Sequence, residues 1–181
     1  MTKRVHITGG SGSGTTTLGT HLARALDASH MDADDFFWVP SDPPYVTQRP
    51  VSDRLALMEQ MFLGRDKWVL SGSVMGWGDP LIPHFDLVIR LEIPAEIRLA
   101  RLKEREARAY GARIEAGGDM AERSAAFMEW AAGYDDPAFT GRARAGHINW
   151  CEHMPCPVLT LDSTGAIDDL VVECLREFEV E

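Results

Sequence analysis

The chain has 181 residues, 45% of them apolar and 25% charged, proportions that exclude a disordered or fibrous protein and, against ~150 residues per domain, fit one domain over 1–181. No apolar run exceeds four residues, Phe36–Val39 being one, whereas a membrane span needs ~20, so no membrane partner is expected. Eighteen Lys+Arg against 28 Asp+Glu leave a net charge of −10, which repels a nucleic-acid backbone and requires any anion site to concentrate its positive charge locally.

Arg4–Thr8 reads as a short strand running into glycines, and Leu18, Leu22, Ala25 and Leu26 then recur with helical spacing. A second strand near Ala28–Met31 ends in Asp32-Ala-Asp-Asp, and a proline-rich loop from Pro40 to Pro50 precedes a helix with Leu55, Met58 and Phe62 on one face, stopping at Gly64. Trp68–Leu70 and Leu87–Leu91 read as buried strands; Pro94 opens the first turn of a long helix to about Tyr110, which Gly111–Gly118 breaks. A helix over Ala121–Ala132, an irregular stretch to Gly146 and a short helix to His153 lead to a fifth strand, Val158–Leu161, and a last helix whose apolar face carries Ile167, Leu170, Val171, Cys174, Leu175 and Phe178. Strands alternating with helices predict an α/β fold, a five-stranded parallel sheet covered on both faces. The stretches 32–50 and 111–146 exceed idle connections and are expected to move as lids. Lys3 and Arg4 followed by a strand and glycines make no secretory signal, and the odd set Cys151, Cys156 and Cys174 suits reduced thiols; a cytoplasmic protein is expected.

The run Gly9, Gly10, Ser11, Gly12, Ser13, Gly14, Thr15, Thr16 follows the phosphate-loop pattern of glycine, four residues, glycine, lysine and Ser/Thr at every position but one. Thr15 stands in place of lysine. The glycines still permit a curl that turns successive N–H groups inward, and the helix beginning at Thr15, with Thr17 in its first turn, adds its positive end. Thr16 keeps the hydroxyl that ligates Mg²⁺ in such loops. Asp32, Asp34 and Asp35 fall at the carboxyl end of the second strand, where open α/β sheets bind ligands. Phe36, Phe37, Trp38, Pro40, Pro43, Pro44 and Tyr45 follow, offering stacking surfaces or simply packing the loop; Arg49 and Arg54 are the nearest cations for an anionic acceptor. Arg98, Arg101, Arg105 and Arg108 share one side of the long helix. Arg98 and Arg108 are expected on a solvated face with Glu96, Glu104 and Glu106. His147, Cys151, His153 and Cys156 offer four zinc-type ligands in ten residues, although a packing segment fits them better.

Taken together, the loop Gly9–Thr16, the acidic segment after the second strand, the strand Asp86–Pro94 and the helix bearing Arg101–Arg105 resemble the small P-loop kinases: nucleoside monophosphate, shikimate, gluconate and uridine kinases, and most of all adenylate-kinase-related bacterial proteins. The resemblance implies ATP and Mg²⁺ as cofactors and phosphoryl transfer to a small metabolite, a nucleoside, nucleotide or hydroxy acid. By the same resemblance Asp32 holds the Mg²⁺ water shell with Thr16. Asp34 orients the acceptor hydroxyl and takes its proton. Arg101 and Arg105, next to the lid, and Arg142 beyond it neutralise the phosphoryl group in flight. Residues 32–64 become the acceptor-binding region, with Asp35, Phe37, Arg49 and Arg54, and residues 111–146 the lid. Val69-Leu-Ser71-Gly72 departs from monophosphate kinases, which tend to carry an acid before the glycine. A nucleotide-binding regulatory protein that lost catalysis with its lysine is the alternative.

Overall fold

The computed structural model describes residues 3–178. Five strands, β1 (Lys3–Gly9), β2 (Ser29–Asp32), β3 (Lys67–Ser71), β4 (Leu87–Glu92) and β5 (Val158–Asp162), form one sheet in the order β2-β3-β1-β4-β5, with every pairing parallel. β1 is central, with Val5 opposite both Val69 and Leu87. The strand order reverses there, because β3 lies on one side of β1 and β4 on the other. The crevice beyond the carboxyl ends of those strands is where such sheets place ligands.

Side-chain alternation splits the core in two. Val5, Ile7, Val69, Leu87 and Ile89 face α1 (Thr15–Leu26) and α7 (Ile167–Arg176), meeting Leu18, Leu22, Leu170 and Cys174. Trp68, Leu70 and Val88 face the opposite side and pack with Phe36 of α2 (Ala33–Phe37), Met58 of α3 (Val51–Met58) and Cys151 of α6 (Arg144–Glu152). Both faces are apolar and shielded, as parallel sheets require. His6 points to the second face, fully buried and stacked on Phe85 at 4.9 Å.

Two expectations need adjusting. The second strand is shifted by one residue, so that Asp32 is its last member, and α2 begins at once. The helix ending at Gly64 finishes in a π-turn over Glu59–Leu63. The proline-rich loop folds back as a ribbon, with Val39 N–H donating to the Thr47 carbonyl (2.8 Å) and Arg49 N–H to the Phe37 carbonyl (2.8 Å). The remaining long helices are α4 (Ala95–Tyr110) and α5 (Ala121–Ala132). Among the described residues no helix is long and apolar enough to cross a membrane.

Candidate active site

β1 delivers Gly9 to the centre of the crevice, and the chain curls back into α1 at Thr15 through Gly12 (φ 88°) and Gly14 (φ 95°). A Cβ at Gly12 would come within 2.6 Å of the Arg98 carbonyl oxygen, and one at Gly10 within 2.8 Å of the Tyr134 ring. The loop therefore lies directly on other backbone and rings, and only glycine permits both its curl and its seat. Gly14 is the N-cap of α1 and supplies no capping side chain, so the first-turn N–H groups and the positive end of the helix are presented to a ligand.

Beneath this loop the structure overturns one expectation. Arg98 is only 1% exposed. Its Nη1 donates to the Ser11 carbonyl (3.1 Å) and its Nη2 to Asp135 Oδ2 (2.9 Å). The cause is position: Arg98 lies one turn into α4, where the helix passes under the loop, whereas Arg108 at its far end pairs with Glu104 in solvent as expected. Glu106 is likewise buried rather than solvated, accepting from Ser124 Oγ at 2.8 Å. Arg142 approaches the loop from another side, with Nη2 donating to Ser11 Oγ (3.2 Å) and the guanidinium over the Trp130 ring at 5.0 Å.

Thr16 Oγ1 donates to Asp32 Oδ2 (2.8 Å). The other carboxylate oxygen of Asp32 caps α2 by accepting from Asp34 N–H (3.0 Å), which fixes the carboxylate against the phosphate loop. Ser71 Oγ contacts His30 Nε2 (2.9 Å) and donates to Asp32 Oδ2 (3.4 Å). A hydroxyl and a carboxylate converging beside a phosphate cradle are the hard oxygen donors Mg²⁺ uses, so the residues present fit that ion.

Asp34, in the first turn of α2, opens into the same cleft. Its carboxyl is held above the ordinary aspartate value, first because the cleft limits hydration and then because Asp32 is near; Arg142 and Arg105 oppose the rise. Asp35 shifts the same way for the same first two reasons. A cavity of about 1110 Å³ joins these groups, lined by Gly12 to Leu18, Asp32, Asp34, Asp35, Trp38, Pro40, Pro44, Tyr45, Arg101, Arg105, Ser163 and Gly165 among others. Its size suits two ligands side by side. Arg101 donates to the Ser163 carbonyl (3.1 Å) and carries its Nη1 within 3.9 Å of where a Cβ on Gly14 would lie. Arg105 has a side chain 58% exposed in the cleft.

Phe37, Arg49 and Arg54, expected to touch an acceptor, are not among the residues lining this cavity. Arg49 Nη1 donates to three main-chain carbonyls, and Arg54 lies over the Phe37 ring. The rings that do reach the cavity are Trp38 and Tyr45. Tyr134 and His147, not anticipated from the sequence, form a buried pair behind the loop, and neither lines the cavity. Tyr134 Oη lies 2.9 Å from His147 Nδ1, and Ser73 Oγ lies 3.0 Å from His147 Nε2, so a neutral imidazole satisfies both. Burial, then the charge of Arg142, pushes the His147 pKa down to about 3, and burial pushes that of Tyr134 up to about 12. No local sequence signal marks this pair, since the partners are far apart in the chain. Among the described residues no group of three or more His, Cys, Asp or Glu is placed to hold a metal, and Cys151 instead packs in the second core.

The fold and the loop at its switch point define a P-loop class of nucleotide-binding domain, and the chain belongs to the AAA domain family, whose model matches residues 5–125. It is 41% identical over 171 residues to the uncharacterized protein YqaC of Bacillus subtilis (strain 168), with 94% of each chain covered. Its fold is similar to that of a sugar kinase from Janibacter sp. HTCC2649 (TM-score 0.55, 18% identity, 99% of this chain and 96% of the other). It is also similar to that of a shikimate kinase from Acinetobacter baumannii (TM-score 0.55, 16% identity, 98% and 93%).

Proposed function

We propose that this chain transfers the γ-phosphoryl group of ATP to a hydroxyl of a small metabolite. The observation that carries the reading is the Thr16–Asp32 contact of 2.8 Å at the head of a glycine phosphate loop, with Asp34 opening into the same cavity. The backbone from Gly9 to Thr16 and the N-terminus of α1 would hold the phosphates, and Thr16 and Asp32 would hold Mg²⁺, directly or through water. When bound, the ion supplies positive charge against the phosphate oxygens. Asp34 orients the acceptor hydroxyl and accepts its proton; a carboxyl held above its ordinary value is a better base than a free aspartate. Arg105 and Arg142 flank Asp34, and Arg101 lies near Gly14, so guanidinium charge surrounds the path of transfer where the sequence lacks the loop lysine. Residues 111–146 serve as the lid that excludes water. The kinase folds among its structural neighbours support the same reading.

Thr15 favours a second reading, a nucleotide-binding regulatory protein, because that lysine ordinarily bridges the β- and γ-phosphates. A transfer screen with ATP and Mg²⁺ across nucleosides, nucleotides, sugars and hydroxy acids separates the two. Acceptor-dependent ADP formation that Asp34→Asn abolishes supports the kinase, whereas nucleotide binding without turnover on any acceptor supports the regulator.

A further inference from the structure

Gly19, Thr20, His30 and Ser71 have no part in the proposed transfer, yet they pack directly behind Thr16 and Asp32. Residues two apart on a strand share a face, so His30 and Asp32 of β2 lie on the same side of the sheet, and Ser71 of β3 stands opposite Asp32 in the register. Positions 16, 19 and 20 of α1 share one side of that helix and come down on this corner. A Cβ on Gly19 would lie 2.5 Å from His30 Nε2 and 3.1 Å from Ser71 Cβ. Glycine inside a helix is costly relative to alanine. Its place in the middle of α1 is explained by the room it leaves for the imidazole.

The ring heads a chain of hydrogen bonds that ends on the carboxylate. His30 Nε2 lies 2.9 Å from Ser71 Oγ, and Ser71 Oγ donates to Asp32 Oδ2 at 3.4 Å, with the Met31 carbonyl at 3.5 Å as its other acceptor. The Thr16 proton goes to the same Asp32 oxygen (2.8 Å). Ser71 is fully buried, and a buried hydroxyl keeps its proton on a protein acceptor. A neutral imidazole could run the chain in either direction, since each ring nitrogen donates or accepts according to the tautomer. With the hydrogen on Nδ1, that atom would face Thr20 Oγ1 at 3.4 Å, whose own proton goes to the Thr16 carbonyl (2.9 Å), and Ser71 would turn its proton to the ring. Asp32 would then lose a donor. A hydrogen bond to a charged acceptor is the stronger one, so the carboxylate draws the chain toward itself and puts the hydrogen on Nε2.

We propose that His30, seated in the slot left by Gly19 with its hydrogen on Nε2, is a positioning residue: through Ser71 it fixes the Asp32 carboxylate against Thr16 and so sets how tightly Mg²⁺ is held with the nucleotide. The proposal rests on the reading of Thr16 and Asp32 as the holders of that ion. With its single proton on Asp32, Thr16 Oγ1 keeps its lone pairs for the metal. His30 and Thr20 also border the cavity, so direct contact with the nucleotide is the competing role.

The test measures ATP affinity by titration calorimetry in EDTA and in Mg²⁺, the ratio of the two Kd values isolating the contribution of the ion. Removing the partner of a metal ligand costs ~10–100-fold in metal affinity, and with the Ser71–Asp32 bond at 3.4 Å the lower end applies. His30→Leu, Ser71→Ala and Gly19→Ala should each cut the ratio about tenfold and leave the Kd in EDTA within about twofold. His30→Gln, whose amide can still donate to Ser71, should keep the ratio within about twofold of the wild type. Nitrogen NMR shifts of the His30 ring should report the hydrogen on Nε2. A ratio unchanged in folded His30→Leu and Ser71→Ala, an equal loss in EDTA and in Mg²⁺, or a hydrogen on Nδ1 overturns the proposal. Should His30→Leu or Gly19→Ala not fold, Ser71→Ala, which deletes one oxygen, decides alone. A wild type whose ATP affinity ignores Mg²⁺ sinks the ion-site reading and the proposal with it, whereas a wild-type response that Ser71→Ala leaves intact sinks the proposal only.

Discussion

Arg98→Met removes a guanidinium from beneath the phosphate loop while keeping the length of its apolar stem. Two hydrogen bonds disappear, one to Asp135 at 2.9 Å and one to the Ser11 carbonyl at 3.1 Å. Breaking a buried ion pair costs ~3–5 kcal/mol. Here the Asp135 side chain is 34% exposed and regains water, which favours the lower end. Arg98 Nε is buried without a partner, a cost of ~1 kcal/mol that methionine relieves. The net expectation is about 2 kcal/mol, a fall of ~4–8 °C in melting temperature for a chain of this size. Because the Ser11 carbonyl loses its anchor, ATP affinity should fall about tenfold as well. Calorimetric melting, with Asp135→Asn as the second corner of a double-mutant cycle, measures the coupling. A loss under ~0.5 kcal/mol, the ordinary scatter of surface changes, together with unchanged ATP affinity would refute the view that Arg98 props the loop.

Asp34→Asn keeps the shape but cannot take a proton, so turnover should drop at least a hundredfold with ATP affinity within twofold; equal losses in both would move Asp34 to the nucleotide. Thr16→Ala should abolish the Mg²⁺-dependent part of the stabilisation by ATP in thermal melts, since ligand binding to the native state raises stability through mass action. A variant that still responds to Mg²⁺ would free Thr16 of that role. Buried His147 is neutral when folded, its pKa pushed down to about 3 from 6.5. Between those values the unfolded chain binds the extra proton, so stability falls as pH drops below about 6.5. At pH 5 the loss is about 2 kcal/mol. His147→Gln should remove this share of the acid sensitivity, and parallel stability–pH curves for the two proteins would contradict it.

The sheet was legible because buried strands and amphipathic helices leave periods in the sequence, and the phosphate loop because its glycines occur at fixed spacing. The placement of Asp32 and Asp34 at the carboxyl edge of the sheet was legible for the same local reason, lying where a strand must end. What local pattern concealed was the third dimension. Arg98 shares a helical stripe with Arg101 and Arg105, and only the passage of α4 under the loop separates a buried prop from two cleft residues. Arg49 and Arg54 lie in the stretch 32–64 that the sequence suggested for an acceptor, yet the folded-back ribbon turns them to its own carbonyls and to Phe37. Trp38 rather than Phe37 faces the cavity, a distinction of one residue that follows from where α2 stops. Tyr134 and His147 meet through a hydrogen bond across 13 positions, with no motif to announce it.

Loss of one well-placed hydrogen-bond donor to developing charge costs ~2.7–4 kcal/mol, so a chain lacking the loop lysine either carries that charge elsewhere or has stopped turning over. Comparing steady-state ADP formation by the wild type and Thr15→Lys, under ATP and Mg²⁺ with one common acceptor, decides between these. If Arg101, Arg105 and Arg142 supply the charge, the wild type turns over and the added ammonium leaves kcat unchanged or lowers it. An inactive wild type beside a Thr15→Lys variant that gains turnover would contradict phosphoryl transfer as the native activity.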